Sequence, residues 1–271
     1  MKISRFILAV ALLILIVGGC GINEAVQTNE VRQQESNFRM QDISSLKVNG
    51  EIGEISVHAS QGEEIMVKFE ASDRFDLVER TSENQLNLTI NYQGHWNLFG
   101  RRNRINWNPF TRNDEYEVPK LEIFLPEFRF ESVQINNEVG TIRMGDLSVQ
   151  KLNVSSRVGE VVLTNNNAEL TRIETNVGRI RINHHEGDLF AKSDVGEIRV
   201  DLEIINQNIS LETSIGAISL DVNRTPENAT IKAETDLGRS RIFGENSNRE
   251  VFGTGDFQVG LSSSIGEITV R

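Results

Sequence analysis

Hydrophobic and polar positions repeat around a series of glycines in the second half of the chain. In nearly every copy, apolar residues stand at positions −7, −5 and −1 before the glycine and at +2 and +4 after it. The residues before the glycine alternate as in a β-strand, and those after it have the opposite parity. A straight strand cannot place both sets on one face, so the chain must bend at the glycine, which lacks a resisting Cβ. The pattern therefore predicts two strands that meet at a glycine corner and turn all five columns inward.

The recurrence of this unit predicts a stack of similar coils. Successive glycines are 19, 19, 18, 20, 22 and 28 residues apart, and one earlier glycine fits the same register. The predicted corner glycines are Gly53, Gly140, Gly159, Gly178, Gly196, Gly216, Gly238 and Gly266. A short, nearly fixed period is typical of solenoids, in which each coil packs only on its neighbours. We therefore predict an all-β, single-domain β-solenoid over residues 43–271, with regular repeats in 131–271.

Two features interrupt the apolar columns. Position −3 should face inward, yet it carries small polar residues: Asn137, Ser156, Thr175, Ser193, Thr213, Thr235 and Ser263. Stacked coils lie about 4.8 Å apart, so these side chains can form a hydrogen-bonded ladder. No histidine column accompanies them, so we expect a structural role rather than a catalytic one. The second interruption is Ser240, the exception at +2 among the seven coils after Gly53.

Residues 43–130 predict a wider section that starts and caps the stack. Segments 65–71, 86–92 and 118–125 alternate apolar and polar residues and are predicted as strands. An insertion at 92–110 lacks acidic residues and contains Trp96, Phe99, Arg101, Arg102, Arg104 and Trp107. Trp and Arg are favoured at interfaces and membrane surfaces, so these six are candidate partner contacts. The alternative is that the insertion covers the open end of the solenoid, as terminal units must.

The first 42 residues predict a secreted, lipid-anchored protein. Lys2 and Arg5 precede an apolar run at 6–17, and the run is short for a spanning helix. It leads into Val17-Gly18-Gly19-Cys20, which resembles the lipobox of bacterial lipoproteins, where the cysteine is acylated. We predict a signal peptide at 1–19, lipidation at Cys20, a flexible tether at 20–42 and attachment on the extracytoplasmic side of the cell membrane. The alternative is an uncleaved signal anchor.

The charge pattern narrows the partner classes. The formal net charge is −11, which disfavours nucleic acid as a partner. The outward columns nevertheless carry a row of arginines: Arg143, Arg179, Arg181 and Arg199, extended by Arg239 and Arg241. Two alternatives remain open for them: contact with an anionic wall polymer, or pairing across coils with Glu160 and Glu197.

Motifs for catalysis or metal binding are missing from the sequence. It has no glycine-rich phosphate loop, His-Glu metal motif or nucleophile elbow. His184 and His185 are adjacent in a turn, and neighbouring strand residues point to opposite sides, so we expect no metal site there. The outward residues at +1 have mixed sign and do not form the carboxylate pair of a glycan-cleaving enzyme. We therefore expect no enzyme activity, no metal and no cofactor.

The last coil raises the question of what covers it. Val270 still occupies an inward position and the chain stops at Arg271, so an uncovered final coil would leave backbone groups unpaired. Either the insertion at 243–257 folds over this coil, or the coil pairs with a second copy, which would make the protein self-associate.

The repeat, the Val118-Pro119 strand that feeds it and the leader together resemble the bacterial envelope family of β-strand-repeat "putative adhesins", a domain of unknown function. The resemblance covers residues 43–271. It implies a solenoid of short strands at the cell surface and no catalytic residues, and "adhesin" is a label by analogy. We therefore expect a non-enzymatic adhesin-like or scaffold module that contacts wall polymers or other envelope components. The alternative is an accessory or sensor lipoprotein in envelope-stress signalling that binds a membrane protein. A glycan-active β-helix enzyme ranks third.

Overall fold

The computed structural model describes residues 31–40, 43–93 and 118–271, which form seventeen β-strands and no α-helix. Within these ranges no helix offers the length and hydrophobicity that a membrane crossing requires. The strands are β1 (Arg32–Arg39), β2 (Ser45–Ile52), β3 (Glu54–Ser60), β4 (Glu64–Ala71), β5 (Phe75–Ser82), β6 (Gln85–Tyr92), β7 (Lys120–Pro126), β8 (Phe130–Gly145), β9 (Ser148–Val195), β10 (Ile198–Leu202), β11 (Ile209–Ile215), β12 (Ile218–Val222), β13 (Ala229–Leu237), β14 (Ser240–Ile242), β15 (Arg249–Phe252), β16 (Phe257–Ile265) and β17 (Ile268–Val270).

Parallel pairing of successive coils confirms the predicted β-solenoid. β8 and β9 pair in parallel on both sides of the corner, with Val139 opposite Val158, Gly140 opposite Gly159 and Ile142 opposite Val161. β9 continues through two corners before it ends, which is why it is 48 residues long. The columns at −7, −5, +2 and +4 are almost entirely buried and form one continuous core along the stack.

The corners require glycine because neighbouring backbones approach closely there. A Cβ on Gly159 would overlap the carbonyl oxygen of Gly140, and a Cβ on Gly178 would overlap the carbonyl oxygen of Gly159. Gly159 also has a φ of 152°, which L side chains rarely adopt. The period read from the sequence therefore marks the points where one coil's backbone rests on the next.

Antiparallel strands close the N-terminal end of the stack. β2 lies between β8 and β6, and β3 lies between β8 and β7. β6 and β7 thus extend the stack by one more layer next to β2 and β3. β5 then pairs antiparallel with β6, and β4 with β7, which provides the predicted N-terminal β cap.

The predicted tether at 20–42 is wrong for part of its length. Residues Arg32–Arg39 form β1, which pairs antiparallel with β4 along all eight residues. The segment contains few apolar residues, and this is why the sequence predicted a tether. As an edge strand, β1 is held mainly by its backbone pairing with β4. Phe38 alone packs against the core.

The order of the last two coils is inverted relative to the sequence. β16 pairs in parallel with β11 on one side and β13 on the other, and β17 lies between β12 and β14. The coil that ends the chain is therefore an inner coil, and the coil of Gly238 is the end coil. The last coil of the sequence is thus covered by the coil of Gly238, and neither the insertion at 243–257 nor a second copy is needed to cover it. The 28-residue spacing between Gly238 and Gly266 leaves room for β15, which covers part of β13 before the chain returns to the inner position.

Candidate interaction surface at the corner of the solenoid

An uninterrupted row of exposed aliphatic side chains runs along the glycine corner. The residue before each corner glycine is Val, Ile or Leu, and all eight are between 38% and 67% exposed. We call them the corner row; in stacking order they are Ile52, Val139, Val158, Val177, Val195, Ile215, Ile265 and Leu237. Seven steps of about 4.8 Å make the row about 34 Å long.

The corner row corrects the prediction that position −1 faces inward. Alternation along each strand stops at −3, because the chain begins to bend there: Asp194 and Val195, like Ser214 and Ile215, are both exposed. The small polar residue at −3 fills the inside of the corner instead. The aliphatic residue at −1 is left on the convex outer side.

The polar column at −3 hydrogen-bonds to the corner of the adjacent coil. Each donor points to a corner glycine's carbonyl oxygen. The observed bonds are Ser193 Oγ to Gly178 (3.2 Å), Thr213 Oγ1 to Gly196 (3.2 Å), Ser263 Oγ to Gly216 (3.0 Å), Thr235 Oγ1 to Gly266 (3.0 Å) and Asn137 Nδ2 to Gly53 (2.9 Å). Two members differ, since the buried hydroxyls of Ser156 and Thr175 have no partner. The column ties corner to corner through side-chain donors, as a structural ladder would.

The arginines beside the corner row are paired with glutamates, mostly across coils and in one case, Arg199 with Glu197, within a coil. Arg179 lies 3.6 Å from Glu160 and 3.3 Å from Glu197, so it bridges two neighbours. The remaining pairs are Arg143 with Glu54 (4.0 Å), Arg181 with Glu160 (3.3 Å), Arg199 with Glu197 (3.4 Å) and Arg241 with Glu267 (3.1 Å). The arginines are exposed and their partners Glu160 and Glu197 are half-buried, and ion pairs at such a surface are individually weak. Together these glutamates compensate the charge of the arginine stripe, the row formed by Arg143, Arg179, Arg181, Arg199 and Arg241.

The two adjacent histidines have different environments. His184 is exposed and adopts a left-handed backbone with φ 52°, while His185 is buried. Desolvation by burial lowers the pKa of His185 to about 4, although the backbone groups of Asn166 and Gly187 raise it in part. His185 is therefore neutral at physiological pH. Across the described ranges no three His, Cys, Asp or Glu side chains cluster as metal ligands would.

Several predicted site residues lie outside the described residues. They are the lipidation candidate Cys20 and the aromatic and basic candidates Trp96, Phe99, Arg101, Arg102, Arg104 and Trp107. Their roles stay predictions.

Sequence reasoning found the residues of the corner row but assigned them to the core. The signal that could have corrected this was the polar column at −3, because a strand that tolerates hydroxyls there has already left the apolar interior. An aliphatic residue after that position therefore faces solvent instead of the core.

The fold and the corner geometry define a class of non-globular repeat domain, a glycine-cornered β-solenoid. Within that class the chain belongs to the Toastrack DUF4097 family, whose model matches residues 43–271. This confirms the resemblance that the repeat suggested. No curated protein matches the chain.

Several solved structures are similar to the chain. A "putative adhesin" from Bacteroides fragilis shares 15% identity with a TM-score of 0.46, covering 89% of this chain and 97% of its own. A "putative cell adhesion protein" from Clostridium sporogenes shares 13% identity with a TM-score of 0.42, covering 89% and 99%. A "putative adhesin" from Parabacteroides distasonis shares 11% with a TM-score of 0.34, covering 90% and 98%. Similarity at this level carries no argument about function.

Proposed function

We propose that the protein is a non-enzymatic, lipid-anchored module of the cell envelope that binds another envelope protein through the corner row. The observation that carries this proposal is the exposure of eight aliphatic side chains in one unbroken line. Single exposed apolar residues are common, but contiguous exposed rows with polar borders mark interaction sites. The solenoid core does not need these side chains, since its inward columns are complete without them.

The ion pairs on one flank favour a protein partner over an anionic polymer along the stripe. A polyanion would have to compete with Glu54, Glu160 and Glu197 for the arginines that they already contact. An apolar partner surface meets no such competition. The row is also convex, so its natural counterpart is an apolar groove.

The proposed anchor would hold the capped end of the stack near the membrane. Only eleven residues separate Cys20 from β1, which limits the distance between them to about 43 Å. Because β1 belongs to the N-terminal cap, the corner row would extend away from the membrane.

The proposal is tested by photo-crosslinking in cells. A photoreactive residue at Val177 or Val195 should capture one protein partner, because both positions lie in the middle of the corner row. The matched control is Asn153, which is exposed on the flat outer face of an adjacent sheet. Equal capture from Asn153 and Val177, or none from either, would contradict the proposal.

Substitution of the row gives a second readout. The double variant Val177→Lys and Val195→Lys should lose the captured partner while its melting temperature stays near that of the wild type, since both side chains are outside the core. Retention of the partner by this variant would rule out the corner row as the binding surface.

The anchor is tested separately by metabolic labelling with a fatty acid. The wild-type protein should carry the label and the Cys20→Ala variant should not. Equal labelling of both would exclude Cys20 as the lipidation site without affecting the corner row.

A further inference from the structure

The end coil, the one that contains Gly238, carries a polar cavity of about 710 Å³. Its lining residues come from the start of β14 and from the loop between β14 and β15. They are Arg239, Ser240, Arg241, Asn246, Ser247 and Asn248. None of them is acidic, although the chain as a whole carries a net charge of −11. The cavity is therefore a locally basic site on an acidic protein.

Ser240 breaks the core pattern at this cavity. Its counterparts at +2 in other coils include Ile142, Ile198 and Ile268, all 0% exposed. Ser240 is only half-buried and lines the cavity. Among the described strands β14 pairs only with β17, so Ser240 in this end coil stays partly exposed and its hydroxyl is open to the cavity.

Arg239 differs from the arginines of the stripe in lacking a carboxylate partner. Arg143, Arg179, Arg181 and Arg199 each contact a glutamate, whereas Arg239 forms no ion pair within the described part of the chain. Arg241 contributes a second guanidinium and shares it with Glu267 at 3.1 Å. One guanidinium at the cavity is thus free to meet an external anion.

The loop that forms the opposite wall is held in place by its own hydrogen bonds. Ser247 Oγ donates to the carbonyl of Arg249 (2.9 Å) and accepts from its N–H (3.2 Å). The Asn248 carbonyl accepts from the Ala233 N–H, and Glu245 pairs with Ile242. These contacts fix Asn246 and Asn248 beside the arginines, with side-chain amides available as donors.

We propose that this cavity binds an oxyanion, a carboxylate or phosphate group on an envelope polymer or solute. Arg239 supplies the charge, and Ser240 and the asparagine amides supply hydrogen-bond donors, a donor set suited to either group. The site adjoins the end of the corner row at Leu237 but uses polar side chains that are not part of the row, so it is tested independently of the protein partner proposed above.

The experiment is a binding titration with two probes, a short poly(glycerol phosphate) and a trigalacturonate, monitored by calorimetry at low salt. At least one probe should saturate the wild-type protein, and the difference between them identifies phosphate or carboxylate as the ligand group. Arg239→Gln should weaken binding at least tenfold. Ser240→Val, which restores the apolar column, should weaken binding severalfold while raising the melting temperature.

The matched control is Arg224→Gln, which removes an exposed arginine that is paired with Glu203 and lies between β12 and β13, outside the cavity lining. It should leave the affinity unchanged. The proposal is overturned if wild-type protein binds neither probe, if Arg239→Gln binds as tightly as wild type, or if Arg224→Gln weakens binding to the same extent. An unchanged melting temperature for Arg239→Gln excludes misfolding as the cause of a loss.

Discussion

The inside and the outside of each corner invert the usual distribution of residues. Three positions before the glycine, a small polar side chain is buried; one position before it, an aliphatic side chain is exposed. Thr175 and Val177 illustrate the contrast, with exposures of 4% and 48% in the same strand. In most strands hydrophobicity decides which residue is inside. At these corners the close approach of neighbouring backbones decides it, because the carbonyls inside the bend need donors.

The contrast between positions −3 and −1 separates a role in folding from a role in binding, and the hydrophobicity pattern alone does not distinguish the two. The inner column stabilises the stack by hydrogen-bonding to corner carbonyls, and its loss should be felt in folding. The outer row contributes little to the core, and its loss should be felt in binding. The predictions below follow this division in order of expected effect.

The largest effect is expected at the corner itself. Gly178→Ala should destabilise the domain by more than about 4 kcal/mol, enough to prevent folding, because its Cβ would overlap the Gly159 carbonyl oxygen. Gly260→Ala is the control, since nothing lies within 4 Å of a Cβ added there. Soluble yield and thermal unfolding report the difference. Similar melting temperatures for the two variants would mean that the corners are not closely packed.

The buried histidine should produce a pH dependence of stability. Folding lowers the pKa of His185 from 6.5 to about 4, so the unfolded chain binds more protons between these values. Its contribution is therefore complete above pH 6.5 and is lost as pH falls towards 4, at most roughly 3 kcal/mol. Denaturant unfolding between pH 7.5 and 4.5 should show this loss. His185→Leu should flatten it, while exposed His184→Gln should not; equal slopes in all three proteins would contradict the assignment.

A smaller, opposite pair of effects is expected within the inner column. Thr213→Val removes a donor to the Gly196 carbonyl and should cost about 1–2 kcal/mol. Thr175→Val removes a buried hydroxyl without a partner and should be neutral or stabilising. Chemical denaturation of both variants tests the ladder. Equal destabilisation would show that the hydrogen bond is not what the inner column contributes.

The smallest effect is expected in the outer row. Val177→Thr should change the free energy of unfolding by less than about 0.5 kcal/mol, because the side chain is already half in water. A loss above about 2 kcal/mol would place the corner row in the core after all.

Much of this architecture was predictable from spacing alone. The corner glycines and the buried columns follow from the period and from strand alternation, as Ile135, Gly140 and Ile142 show in one coil. The exposure of position −1 could not be read from alternation, because a bend changes where a side chain points without changing the sequence pattern. The inverted order of the last coils depends on pairing between distant strands, β16 with β11, which local pattern does not encode.

The candidate sites also divide into features that the local sequence pattern predicts and features that depend on tertiary packing. The arginine stripe follows from the charge column in the sequence, but the 3.3 Å contact between Glu160 and Arg181 depends on how neighbouring coils stack. The cavity at Arg239 depends on how the β14–β15 loop folds back, and the sequence signal for it was a single irregular residue, Ser240. His185 was recognised as part of a pair, yet its burial is a tertiary property.

The inversion at the corner is tested most directly by thiol reactivity. In a Cys20→Ala background, which has no other cysteine, Thr175→Cys and Val177→Cys place one thiol on either side of the bend. Val177→Cys should react with a maleimide nearly as fast in native protein as in denaturant, whereas Thr175→Cys should react only after unfolding. Protection of Val177→Cys together with rapid labelling of Thr175→Cys would contradict the account.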